Sequence, residues 1–154
     1  MNNHKAKSSD ISISESGLDF HEEMMLAIFR QFLLAYTDSK QPHWERAFEI
    51  SITVYGEANG AYAAYGLLRI LQAVRSSRRA VFRFVNPCCE NCAVNLSDHE
   101  RHLMRAIRFV GSGDMASAQM EALILCDGFE TGATLKAIKD IYNSSAEKDA
   151  VFDD

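Results

Sequence analysis

Long apolar runs, prolines and glycines are all scarce in this chain of 154 residues, and each scarcity excludes something. No stretch approaches the ~18 consecutive apolar residues of a membrane-spanning helix, so no membrane partner is expected. Two prolines and eight glycines are too few for the many tight turns of an all-β sandwich or barrel. The opening run MNNHKAKSSDISISES holds no apolar core of the kind an export signal carries, which leads to the expectation of a cytoplasmic protein with reduced cysteines. Positive charge is in the minority, 16 Lys and Arg against 21 Asp and Glu, which argues against a protein that coats nucleic acid with its whole surface. No P-loop and no Gly-x-Ser-x-Gly occurs, and no placed general base or nucleophile is visible beyond the thiols. An enzyme therefore ranks third among the functional readings.

What is present is helical periodicity. Asp19 followed by Glu22 forms a capping box, and Phe20, Met24, Ile28, Phe32 and Tyr36 then recur every four residues on one broad stripe. Pro42 suits the first position of a second helix, which carries Trp44, Ala47, Phe48, Ser51 and Tyr55 and ends near Gly56. A third, from about Gly60 to Arg75, is small and aromatic on most sides and is expected at the centre of a bundle. Gly56 and Gly60 read either as the break between those two helices or as points of close backbone approach. Residues 81–85 alternate as a short extended piece that Asn86-Pro87 stops. Ser97 with Glu100 opens a further helix through Val110, Gly111-Ser112-Gly113 breaks it, and Asp114 caps the return through Leu125. Thr131 starts the last helix, through Tyr142.

The expected fold is therefore all-α, a compact domain of about five to six helices. A cysteine-bearing knuckle joins its N-terminal helical half to a C-terminal hairpin. The boundaries are a mobile polar tail over 1–16, one domain over 17–143 and a loose acidic tail over 144–154. Within the domain, 17–79 is N-terminal helices, 80–96 the extended piece and knuckle, and 97–143 the C-terminal helices.

Cys89-Glu90-Asn91-Cys92 is a Cys-x-x-Cys, and Cys88 stands beside it. Two thiolates at this spacing can grip a tetrahedral cation from one turn, and they can equally serve redox exchange. If the helices on either side of the Gly111–Gly113 turn form an antiparallel hairpin, Cys126 comes level with His99. The candidate ligands are then Cys89, Cys92, Cys126 and His99, with Cys88 or His102 as alternatives for the fourth. Zinc suits such thiolates and imidazoles best, an iron–sulfur cluster is the alternative, and no metal at all is the third reading. In that last case Cys126 is ordinary core packing and the histidines are solvated.

The second feature is basic. Arg69, Arg75, Arg78, Arg79 and Arg83 occur within fifteen residues without an acid among them. Arg75, Arg78, Arg79 and Arg83 are the candidate partner-binding residues, for nucleic acid or an acidic protein, unless they are a solvated helix end. Weaker motifs fail on spacing. His99 and His102 are one residue too close for a His-Glu-x-x-His metalloprotease pair. Gly111-x-Gly113-x-x-Ala116 has no surrounding βαβ series. Residues 120–137 are loosely like a helix-turn-helix, but the second helix offers few basic residues. NPCCENC followed by LSDHE resembles, in outline only, a bacterial metal-knuckle protein, a likeness that implies no function. Two functional expectations follow. The first is a non-enzymatic module, with a structural zinc, acting through a protein partner or regulation. The alternative is a nucleic-acid-binding transcriptional regulator using the arginines, with thiol or metal sensing. Oligomeric state is left open.

Overall fold

The computed structural model describes residues 2–4 and 10–150, with side chains over 10–144. Its elements run β1 (Asn2–His4), β2 (Ile11–Ser12), α1 (Phe20–Thr37), α2 (His43–Tyr55), α3 (Glu57–Ser77), β3 (Arg83–Val85), α4 (Glu90–Ala93), β4 (Asn95–Leu96), α5 (Asp98–Ser112), α6 (Met115–Leu125) and α7 (Gly132–Ala150). The all-α expectation holds. Among the described residues the strands form two pairs, β1 parallel to β3 and β2 antiparallel to β4.

The helix starts follow the local chemistry. Asp19 Oδ1 accepts the Glu22 N–H at 2.8 Å while Glu22 accepts the Asp19 N–H at 2.9 Å, and Ser97 with Glu100 repeats this arrangement at α5. Such a cap contributes about 1 kcal/mol, whereas each fully buried Leu, Ile or Phe contributes about 1.5–3. Packing therefore dominates α1, which buries Leu26, Ile28, Phe29, Phe32 and Leu33. Phe20, expected on that stripe, lies 73% exposed at the first position of the helix, before the core begins. Pro42 is the residue before α2, one position earlier than expected.

Both glycine readings prove compatible. Gly56, at φ 83°, separates α2 from α3, and Gly60 inside α3 lets the backbones meet, since an added Cβ would lie 2.5 Å from the Ile52 Cα. Helix α3 is consequently longer than expected. It packs on α2 and carries α7 on another face, while α5 and α6 form the hairpin. The hairpin turns at Gly113 alone, φ 80°, and α5 continues through Gly111 and Ser112.

Two expectations about the termini need correction. Of the polar tail, residues 2–4 pair with β3, and residues 11–12 pair with β4 ahead of a 3-10 turn at Ile13–Glu15. Ile11 and Ile13 supply the reason, since both pack on the core. Residues 144–150, expected as loose, continue α7, while 1, 5–9 and 151–154 lie outside the described residues.

These elements converge on a buried ion pair that periodicity did not reveal. Arg30 of α1 and Glu100 of α5 are 4% and 1% exposed, and their contact is bidentate: Nε to Oε1 at 2.7 Å and Nη2 to Oε2 at 3.1 Å. The remaining Arg30 donors reach the carbonyls of Ala93 (2.8 Å) and Asn95 (2.6 Å). Glu100 also accepts the N–H groups of Val85 and Ser97. Removing one partner leaves a buried charge uncompensated, which costs about 3–5 kcal/mol. Arg30→Met should lower the unfolding free energy by that amount, read as a lower urea midpoint without a change in slope. Arg30→Met with Glu100→Met should not restore it, because four backbone groups would still lack their partners. A double variant as stable as the wild type would refute this.

Candidate functional site

The knuckle begins at Asn86-Pro87, where Asn86 Oδ1 accepts the Cys88 N–H at 2.9 Å. Cys89 then stands before the one-turn helix α4, and its carbonyl accepts from the N–H groups of Cys92 and Ala93. One helical turn sets residues three apart on the same side. Cys89 and Cys92, with Cα atoms 5.2 Å apart, are joined as a disulfide. This corrects the expectation that all four cysteines are reduced. Cys92 is buried, Cys89 is half-buried and Cys88 is an exposed free thiol. The knuckle is tethered on both sides, since Ile13 donates to the Val94 carbonyl at 2.8 Å and Arg30 holds the carbonyls of Ala93 and Asn95.

The expected metal ligands do not come together. The hairpin register itself is as expected, for Glu121 of α6 meets both His102 (2.6 Å) and Arg105 (2.9 Å) of α5. His99 and Cys126 lie toward the same end, where Arg78 and Asp127 influence His99 and Arg78 also senses Cys126. Their side chains, however, are directed elsewhere. Cys126 is fully buried with its Sγ 3.5 Å from Thr134 Oγ1 of α7, and His99 Nδ1 accepts the Arg83 N–H at 2.7 Å. His102 is engaged by Glu121, Cys88 stays outside, and Cys89 and Cys92 are bonded to each other. Among the described residues no group of three His, Cys, Asp or Glu forms a metal-binding cluster. Matching heights along a hairpin set only one coordinate. The direction of each side chain around its helix sets the others.

The arginines are mostly structural. Arg78 is buried, donates to the carbonyls of Ala80 (2.7 Å) and Leu125 (2.6 Å), and pairs with Asp127 at 3.4 Å. It thus caps the C-terminal end of α6, where carbonyls lack helical partners and a cation is favoured. Arg83 is turned inward to Asp10 at 2.7 Å and to Asp98 at 3.6 Å. Arg75 lies over the Tyr36 ring at 3.6 Å and Arg79 over Phe129 at 4.5 Å, both exposed, and Arg69 meets Asp140 at 3.5 Å. Arg78 and Arg83 are therefore withdrawn from the expected basic surface. The signal the sequence did carry was Arg30 itself, a charge set among Leu26, Phe29, Leu33 and Leu34 on the most apolar stretch of the chain. Glu121, 6% exposed on an otherwise uncharged α6, is a second case of the same kind.

The surroundings of His99 make a further prediction. Burial, then the charges of Arg78 and Arg83, push its imidazole down from 6.5 to about 4. The unfolded chain therefore binds a proton that the folded one refuses, and stability should fall as pH drops from about 6.5 towards 4. His99→Asn, whose Oδ1 can still accept the Arg83 N–H, should flatten this fall. Imidazole titration by NMR and urea unfolding at several pH values check it, and an ordinary His99 pKa would refute it.

No protein-family model matches this chain, and neither a curated protein nor a solved structure matches it, so its function is read from the residues themselves.

Proposed function

We propose that this chain is a non-enzymatic, redox-responsive regulatory module whose Cys89–Cys92 pair governs how firmly the knuckle is held. The observation that carries this reading is that the disulfide spans the same single turn whose carbonyl at Ala93 is gripped by Arg30. Opening it acts on α1, α5 and β2 through hydrogen bonds already in place. The two cysteines are only three positions apart, so the effect is local rather than global. Cys89 is the more accessible sulfur and the point of attack. A dithiol reductant adds one thiolate to Cys89 Sγ, and the Cys92 sulfur leaves as thiolate. The reductant's second thiol then attacks its own mixed-disulfide sulfur, releases Cys89 as thiolate and departs as a cyclic disulfide. The protons lost by the dithiol return to the two cysteines. A zinc or iron–sulfur centre needs further ligands beside that dithiol, and Cys126 and His99 are engaged elsewhere. The redox reading takes precedence for that reason.

Thiol titration with elemental analysis tests the proposal. The isolated protein should show Cys88 as its one reactive thiol, and dithiothreitol should add Cys89 and Cys92 while Cys126 stays protected. Hydrogen exchange should then quicken at Ile13 and Ala93 but not along α3. Stoichiometric zinc with protected thiols would overturn the reading, and so would a pair that glutathione disulfide cannot oxidise.

A protein partner has separate support on α6. This helix carries one charge, Glu121, which faces inward, and its outer side exposes Met120 (62%) and Ile124 (48%) one turn apart. An uncharged apolar face on an acidic protein (net charge −5) is suited to its own copy, because like meets like there without charge repulsion. Sedimentation should find a dimer that Met120→Glu with Ile124→Glu converts to monomer at nearly unchanged melting temperature. A wild type that stays monomeric at every concentration would exclude it.

A further inference from the structure

Helices α1, α2, α3 and α7 surround a concavity of about 560 Å³. Along α3 its lining alternates bulk and absence of bulk: Tyr62 and Tyr65 stand on either side of Ala63, and Gly66 follows with no side chain at all. Tyr55 from α2 and Tyr142 from α7 complete an aromatic enclosure. The enclosure is stiffened from behind. His21 packs edge-on against Tyr55 with ring centroids 5.1 Å apart, and the Tyr142 hydroxyl donates to the Ile107 carbonyl at 3.0 Å. Burial holds the Tyr55 phenol neutral, its pKa pushed up to about 12. Tyr62 and Tyr65, by contrast, are 70% and 56% exposed, so both rings present much of their surface at the mouth of the concavity.

One end of the concavity is cationic. Arg69 stands one helical turn after Tyr65, on the same face of α3. Its contact with Asp140 is single and long, 3.5 Å, whereas Lys136 holds the same carboxylate oxygen at 2.8 Å. Asp140 is thus shared by the two cations, and among the described residues the other guanidinium N–H groups of Arg69 are left for a second, bidentate partner.

We propose that this concavity binds a small planar aromatic carboxylate, its ring laid against Tyr62 and Tyr65 and its carboxylate on Arg69. Large, mostly apolar pockets with a few convergent polar groups are where small ligands bind, and here the lining specifies both halves of the ligand. The site is independent of the cysteine knuckle and of the α6 face.

The test uses the full chain, 2-naphthoate as the probe, and methyl 2-naphthoate as its uncharged counterpart. NMR titration should show saturable shifts confined to Tyr55, residues 59–69 and Tyr142, with the ester bound about tenfold more weakly than the acid. Arg69→Gln should weaken the acid by a similar factor and leave the ester unchanged. Ala63→Leu should fill the space and remove binding of both. If that variant does not fold, Tyr62→Ala serves in its place, since the ring is largely in solvent and its loss leaves the core intact. No saturable binding by the wild type would overturn the proposal. Shifts outside the concavity, or equal affinity for acid and ester, would do the same.

Discussion

A guanidinium buried against a carboxylate has to be matched at nearly every donor and acceptor, and that requirement organises this molecule. Arg30 and Glu100 come from helices seventy residues apart, yet each completes its coordination with backbone from the segment between them. The carbonyls of Ala93 and Asn95 and the N–H groups of Val85 and Ser97 belong to short pieces that could not hold their shape by internal hydrogen bonding. Strand β3, helix α4 and strand β4 have lengths of three, four and two residues. Isolated elements of that size are unstable in water. Their geometry is imposed by the charges they satisfy, which makes the pair a clamp on the knuckle as well as a link between α1 and α5.

The same economy explains why Arg78 and Arg83 are withdrawn from the surface. Where α3 ends and the chain becomes extended, backbone carbonyls and the end of α6 lie close together with few N–H groups to meet them. Arg78 supplies three donors to that region, and Arg83 does the equivalent for Asp10 and Asp98. Guanidinium groups serve here as connectors between irregular segments, a use that spacing in the chain does not distinguish from ligand binding. The exposed members, Arg75 and Arg79, are laid over Tyr36 and Phe129.

Two regions remain chemically distinctive once these structural uses are set aside. The Cys89–Cys92 disulfide, half-buried at Cys89 and buried at Cys92, spans the turn whose Ala93 carbonyl the clamp holds. The tyrosine-lined concavity has Ala63 and Gly66 on its α3 wall, and the missing side chain at Gly66 lets Ile141 of α7 pack close against that helix. The first is proposed for exchange chemistry and the second for recognition. Among the described residues, no helix is long and apolar enough to cross a membrane.

Helix identity was legible from local chemistry, because capping boxes and four-residue apolar repeats act within one or two turns. Asp19 with Glu22, Ser97 with Glu100, and the hairpin through Asp114 could all be read in the chain and stand in the structure. The hairpin register was legible for the same reason, as Glu121 against His102 and Arg105 shows. What the chain alone determined, then, is an all-α domain with a cysteine turn between two helical halves. Only the tertiary structure decided where side chains point around those helices, and hence that Cys126 meets Thr134, His99 meets the Arg83 backbone, and Cys89 meets Cys92. It also decided that Arg30 is buried and that Ile11 and Ile13 draw the polar N-terminal segment onto the core. Such outcomes depend on partners dozens of residues away, and a helix's own periodicity holds no record of which residue will sit across from it.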